Sequence, residues 1–233
     1  MLRVRALVIE HDEHGGAEKV GEKLISLGFH IDSFRVLDDL TNPVSTRPFP
    51  EPQKYDLLVV MGSTWSVNDQ QIESWIAREI EMVRSAHDSG VKVLGICFGG
   101  QVLSKALGGY VERASQPEIG WHEVKAKDPE SPINGLWFQW HYDKFSVPDC
   151  AEGLAESETC TQAFVSGSSL GIQFHPEVSS AQLEKWIVIS EQELIQNNLD
   201  ASELLEATKT NEAEAFVRSE SLLDWYLADL MEK

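Results

Sequence analysis

Val4–Ile9, Tyr55–Met61 and Val91–Ile96 are short, nearly continuous apolar runs. A strand with one wet face alternates apolar and polar residues; a run apolar at every position must be covered on both faces. Between these runs, Gly16–Leu27 and Ile72–Ala86 carry helical spacing, and each is followed closely by a glycine, Gly28 and Gly90. His30–Val36 alternates like a strand, and Pro43, Pro48, Pro50 and Pro52 make 41–54 a loop. Strands and helices in alternation predict a parallel sheet sandwiched between helices. In such sheets ligands sit outside the carboxyl ends of the strands, so the segments after Ile9, Met61 and Ile96 share one rim.

The middle of the chain differs. Trp121–Ala126, Trp137–His141, Gly153–Glu158, Gln162–Val165 and Leu170–Phe174 are short alternating segments broken by Pro, Gly and Asp. They predict antiparallel strands added to the sheet. From Ser179 onward the pattern is helical, and Leu204, Leu205, Phe216, Leu222, Leu223, Trp225, Tyr226, Leu227 and Leu230 form a stripe expected to pack on its own domain.

A formal charge of −19 argues against a nucleic-acid partner, which needs clustered Lys and Arg, and against anionic membranes. No run approaches a membrane-spanning length, and Met1 leads almost directly into a strand-like run rather than a signal peptide. Three cysteines, Cys97, Cys150 and Cys160, form no C-x-x-C pair, which points to a reducing, cytoplasmic setting.

The rim carries the chemistry. Gly95-Ile-Cys97-Phe-Gly99-Gly-Gln101 follows an apolar strand and opens a helical segment, Gln101–Leu107. Strand, sharp turn and helix with a nucleophile at the tip form an elbow, and a Cβ at Gly95 or Gly99 would clash in so tight a turn. A thiol at a helix N-terminus lies in a positive field that favours thiolate. Gly171-Ile-Gln-Phe-His175-Pro-Glu177 ends a second apolar run. In extended backbone, residues two apart share a side, so Glu177 can orient His175 towards Cys97. Nucleophile, base and orienting carboxylate are the parts of covalent acyl transfer.

These two segments, with Glu118-Ile-Gly-Trp121 and Gln139-Trp-His141-Tyr-Asp143 between them, resemble the signatures of class I, triad-type glutamine amidotransferases, in particular their stand-alone, GMP-synthase-like branch. The resemblance runs from about Leu2 to about Lys185. It implies a flavodoxin-like three-layer α/β fold, mostly parallel with added antiparallel strands and a helical C-terminal extension. It implies that Cys97 attacks the side-chain amide of glutamine, forming a γ-glutamyl thioester and releasing ammonia, with His175 as base and Glu177 as its orienter. The backbone N–H groups of Phe98 and of Ser63, in the Gly62-Ser63-Thr64 turn, would form the oxyanion hole. Related enzymes commonly have Gly-Gly-Pro at that turn. The departure at Ser63 and Thr64 predicts slow turnover until a partner organises it, and a turn tolerant of serine only if it needs no positive φ. Gly62, Gln101, His141 and Asp143 are the expected substrate-binding residues, with Asp143 facing an ammonium and His141 a carboxylate. No metal or cofactor is expected.

Residues 1–190 are expected to form the amidotransferase domain and 191–233 an acidic helical extension packed on it. No G-x-x-x-x-G-K-[ST] phosphate loop occurs, so ammonia would pass to a separate synthetase. A γ-glutamyl peptide hydrolase with the same triad, and a catalytically weak binding or regulatory member of the fold, fit the same residues. His11-Asp12-Glu13-His14, beside Gly15-Gly16, reads as a solvated polar loop rather than a metal site.

Overall fold

The computed structural model describes residues 4–231; the expectations placed on Met1 to Arg3 and on the last two residues lie outside the described residues. The strands are β1 (Arg5–Glu10), β2 (His30–Arg35), β3 (Leu57–Val60), β4 (Lys92–Ile96), β5 (Val111–Ala126), β6 (Gly135–Phe145), β7 (Glu152–Glu156), β8 (Thr161–Ser166) and β9 (Ser169–Ile172). The helices are α1 (Glu18–Ser26), α2 (Ile76–Asp88), α3 (Phe98–Ala106), α4 (Ser180–Ile189), α5 (Glu191–Gln196) and α6 (Ala201–Met231).

One nine-stranded sheet has the order β2-β1-β3-β4-β9-β8-β7-β5-β6. The first five strands in that order are mutually parallel, and the rest join by antiparallel pairing. The apolar runs are apolar throughout because their residues alternate between two cores. Ala6, Val8, Leu57, Val59, Leu94 and Ile96 face α1 and α6, while Leu7, Ile9, Leu58, Val60 and Val93 face α2 and α3. The result is a flavodoxin-like three-layer α/β/α sandwich.

Three expectations need correction. The strand expected at Leu170–Phe174 stops at Ile172 and runs parallel to β4, with Leu94 opposite Leu170; only its other edge, on β8, is antiparallel. A short apolar run carries no information on direction. β5 begins at Val111, ten residues before the expected Trp121, with a register shift between Arg113 and Glu118 that breaks its alternation. Trp225, expected in the buried stripe, is 47% exposed.

α6 belongs to the main core. Leu222, Leu223, Tyr226 and Leu227 are buried in the cluster that holds Ala6, Leu57 and Ile172. The Tyr226 hydroxyl lies 2.8 Å from the carbonyl oxygen of Val93 and 2.7 Å from that of Ser168. Removing a fully buried leucine costs its transfer free energy and leaves a cavity. Leu223→Ala should therefore destabilise the chain by about 2–5 kcal/mol in urea unfolding. Val217→Ala, at an exposed position of the same helix, should change stability by no more than about 0.5 kcal/mol.

Candidate active site

β1, β3, β4 and β9 end at one rim, and the residues that follow them meet there. Cys97 sits between β4 and α3 with φ 53° and ψ −107°, a conformation that L-residues with a Cβ rarely adopt. Backbone contacts enforce it. A Cβ on Gly99 would lie 2.0 Å from the Val60 carbonyl oxygen, and one on Gly95 would lie 2.4 Å from that of Gly99. The Cys97 N–H donates to Ile172 O at 2.8 Å, tying the elbow to the end of β9. The helix begins at Phe98, three residues earlier than its spacing suggested.

His175 follows β9, its N–H bonded to Phe138 O of β6. Nδ1 lies 2.7 Å from Glu177 Oε1, and both side chains are buried. The contact does not arise from strand alternation as expected. The chain leaves the strand at Ile172 and turns through Pro176–Glu177, which folds the carboxylate back onto the ring. Burial opposes protonation of His175, but the Glu177 carboxylate and Cys97 outweigh it and raise the ring's pKa from 6.5 to about 10. A Cβ on Gly62 would stand 3.0 Å from His175 Cε1 and 3.8 Å from Cys97 Cβ, so Gly62, Cys97 and His175 are packed together.

Gly62, Ser63, Cys97, Phe98, Gln101, His141, Asp143, His175 and Glu177 all line one cavity of about 160 Å³. Ser63 and Thr64 have no positive φ, which meets the condition on a turn without the usual glycine and proline. Gln101 Nε2 donates to Asp143 O at 3.2 Å. His141 is engaged within the protein: Nδ1–H donates to Asp143 O at 3.1 Å, and Nε2 lies 3.1 Å from Glu118 Oε2.

Three residues escaped sequence reasoning. Gln173 is fully buried, with Nε2 3.6 Å from Cys97 Sγ and Oε1 3.5 Å from Gln101 Nε2. A polar residue inside an otherwise apolar run was its only signal. Arg113 lies at the register shift of β5, over the Tyr142 ring at 4.2 Å and 3.6 Å from Asp143 Oδ1, and offers a cation to the cavity. Glu193 of α5 also lines the cavity and accepts from Trp140 Nε1 at 2.7 Å. The expectation of a solvated His11–His14 loop holds for Glu13, which is exposed, and fails for His11 and Asp12, which are buried; His11 fits between the Trp75 and Phe98 rings.

Among the described residues, Glu118, His141 and Cys160 bring metal-compatible donor atoms within 4.8 Å of one another. The donors already have protein partners. Gln162 Nε2 donates to Glu118 Oε2 at 2.8 Å, and the Cys160 thiol, pushed up to about 12 by burial and Glu118, lies 3.7 Å from the same oxygen.

The His175–Glu177 geometry has a direct consequence. Glu177→Gln removes a negative charge that holds the proton on His175, so the ring should titrate at lower pH than the value of about 10. An NMR titration of labelled histidine should show that downward shift; an unchanged midpoint would contradict the electrostatic account.

The family profile described as glutamine amidotransferase class-I matches residues 16–192. A 106-residue stretch is 40% identical to a glutamine-hydrolysing GMP synthase subunit from Methanococcus maripaludis, covering 42% of this chain and 56% of the relative; the chain thus spans about half the length of such curated relatives. A glutamine amidotransferase structure from Thermotoga maritima superposes with a TM-score of 0.84 at 27% identity, over 97% of this chain and 99% of the other. One from Methylobacillus flagellatus gives 0.82 at 25% identity, over 98% and 95%. The profile covers most of the chain, and the chain belongs to the class I glutamine amidotransferases.

Proposed function

We propose that this protein hydrolyses the γ-amide of glutamine through a thioester on Cys97. The observation that carries the reading is the meeting, in one cavity, of a cysteine held at positive φ and a buried histidine–glutamate pair. The Cys97 sulfur attacks the γ-carbonyl carbon, its proton already held on His175 as the imidazolium that the Glu177 carboxylate stabilises. The tetrahedral oxyanion is held by the N–H groups of Phe98 and Ser63. On collapse, the imidazolium gives its proton to the leaving ammonia, and water then cleaves the thioester with His175 as base. Glu177 holds the ring in orientation and favours its charged form.

Asp143 and Glu193 supply negative charge for the α-ammonium, and Arg113 supplies a cation for the α-carboxylate. Since His141 is engaged with Glu118 and Asp143 O, its role is that of a wall supporting the Asp143 segment rather than a carboxylate ligand. Ammonia would pass to a separate synthetase, as the GMP synthase relatives suggest. Residues 1–190 form the catalytic domain on this reading and 191–233 its helical extension. A reducing cytoplasm suits a site that depends on a free thiol.

The purified chain should release ammonia from glutamine, and Cys97→Ala should abolish turnover while leaving the fold intact. A glutamine analogue with an electrophilic side chain should label Cys97 and spare Cys150 and Cys160, which lack the elbow. Labelling of all three alike would defeat the assignment. Faster cleavage of a γ-glutamyl peptide than of glutamine, by the same Cys97, would reassign the substrate to γ-glutamyl peptides.

Losing the base should cost more than losing its orienter. His175→Ala should approach background, whereas Glu177→Gln should retain measurable turnover, because the carboxylate acts only through the ring. Equal loss in the two variants, with unchanged structures, would reverse that order of roles.

A further inference from the structure

His11 and Glu79 are buried, face each other and lie outside the triad. His11 Nε2 is 2.9 Å from Glu79 Oε1 on α2, and His11 Nδ1 is 2.9 Å from the carbonyl oxygen of Gly62. Both side chains are fully buried. A carbonyl oxygen only accepts, so Nδ1 carries a proton and donates it. The ring is fixed laterally by Phe98, edge-on at 4.6 Å, and by Trp75 at 5.7 Å. Burial works against a charge on His11, yet Glu79, the Gly62 carbonyl and Asp12 outweigh it and raise its pKa.

The peptide that accepts this bond is the one whose N–H belongs to Ser63. No described peptide bond is cis, so the Gly62 C=O and the Ser63 N–H point in opposite directions across one plane. With the carbonyl drawn into the core towards His11, the N–H is left on the side where Ser63 lines the cavity. Rotating that peptide would turn a lone pair towards the developing oxyanion in place of a donor. It would also break a buried hydrogen bond and strand the imidazole against a carboxylate. The same ring packs on Phe98, whose N–H is the second donor.

We propose that His11, anchored by Glu79, is a positioning residue that locks the Gly62–Ser63 peptide with its N–H facing the Cys97 sulfur. The inference rests on the glutaminase reading above. It replaces the expectation of a turn awaiting a partner: the first donor is aimed by the fold itself, through a buried ion pair between the ends of β1 and β3 and the body of α2.

Two single substitutions of similar size separate the contacts. His11→Asn places an amide near the Nδ1 position and keeps the donor to Gly62. His11→Gln places its amide near the Nε2 position and keeps the contact with Glu79 instead. His11→Asn should keep kcat within about tenfold of the parent, while His11→Gln should lower it by about 10²–10³, the cost of one oxyanion donor, with KM little changed. Alkylation of Cys97 by iodoacetamide is a direct displacement that needs no oxyanion hole, so its rate should be unchanged in both. Should neither variant fold, the double substitution His11→Leu with Glu79→Met removes both buried charges together, and it should show the same kcat loss with normal alkylation.

A parent chain that releases no ammonia, or does so without Cys97, overturns the glutaminase reading and this inference with it. An active parent whose His11→Gln variant matches His11→Asn, or whose double variant keeps full kcat, overturns the inference alone. Alkylation and turnover falling together would also overturn it, by showing a collapsed site rather than a misaimed donor.

Discussion

The first turn of α3 rests on backbone, not on side chains. Gly99 lies so close to the end of β3 that a methyl group would fall 2.0 Å from the Val60 carbonyl oxygen, and Gly95 is as tightly confined by Gly99. This contact brings a helix N-terminus down onto three parallel strand ends, leaving no ordinary conformation for the residue between strand and helix. Cys97 takes a positive φ because its neighbours on both sides are already fixed. Its N–H is held by Ile172 at the end of β9, and from that strand end the chain turns through Gln173 to His175. The reactive geometry therefore follows from a packing constraint between two layers of the fold. Backbone atoms move less than side chains, so the sulfur is placed before any ligand arrives.

Two buried histidine–carboxylate pairs then divide the work around Gly62. His175 with Glu177 approaches its Cα, and His11 with Glu79 holds its carbonyl oxygen. A glycine serves the first contact for lack of a side chain. The second contact needs only the peptide, which explains how serine and threonine can follow Gly62: neither requires positive φ, and the direction of the N–H is set from behind. A buried ion pair is weak support for stability, since desolvating the charges offsets most of their attraction. Its use here is orientation.

The parallel half of the sheet was legible in the sequence because burial on both faces leaves runs such as Leu57–Val60 with no polar position at all. The elbow was legible because its two glycines flank the nucleophile symmetrically. Direction and extent were harder. β9 is four residues long, and nothing in Ser169–Ile172 distinguishes a parallel from an antiparallel neighbour. β5 passes through a register shift between Arg113 and Glu118, so its first half reads as irregular, and the arginine placed there at the cavity mouth had no motif to reveal it. His11 was misread for a physical reason: its partners Glu79, Trp75 and Phe98 lie far away in sequence. Two glycines beside a charged tetrapeptide suggest solvent, and only the tertiary fold provides the cage that buries the ring.

The C-terminal helices complete the site as well as the core. The hairpin of β5 and β6 presents Trp121, Phe138 and Trp140 on one side, and that apolar face packs with Val178, Leu183, Leu194 and Leu204. The polar edges of the same rings are satisfied across the interface: Trp121 Nε1 donates to Thr208, Trp140 Nε1 to Glu193, and Trp186 Nε1 to His14 O. The Gln182 amide donates to that same carbonyl, so α4 is bound to the loop after β1. Trp186, Ile189, Ser190 and Glu193 consequently line the cavity, with the Trp186 ring 5.1 Å from that of His175. The acidic segment that looks like an appendage in sequence thus reaches the pocket through Glu193, whose negative charge lines the same cavity as the cation of Arg113.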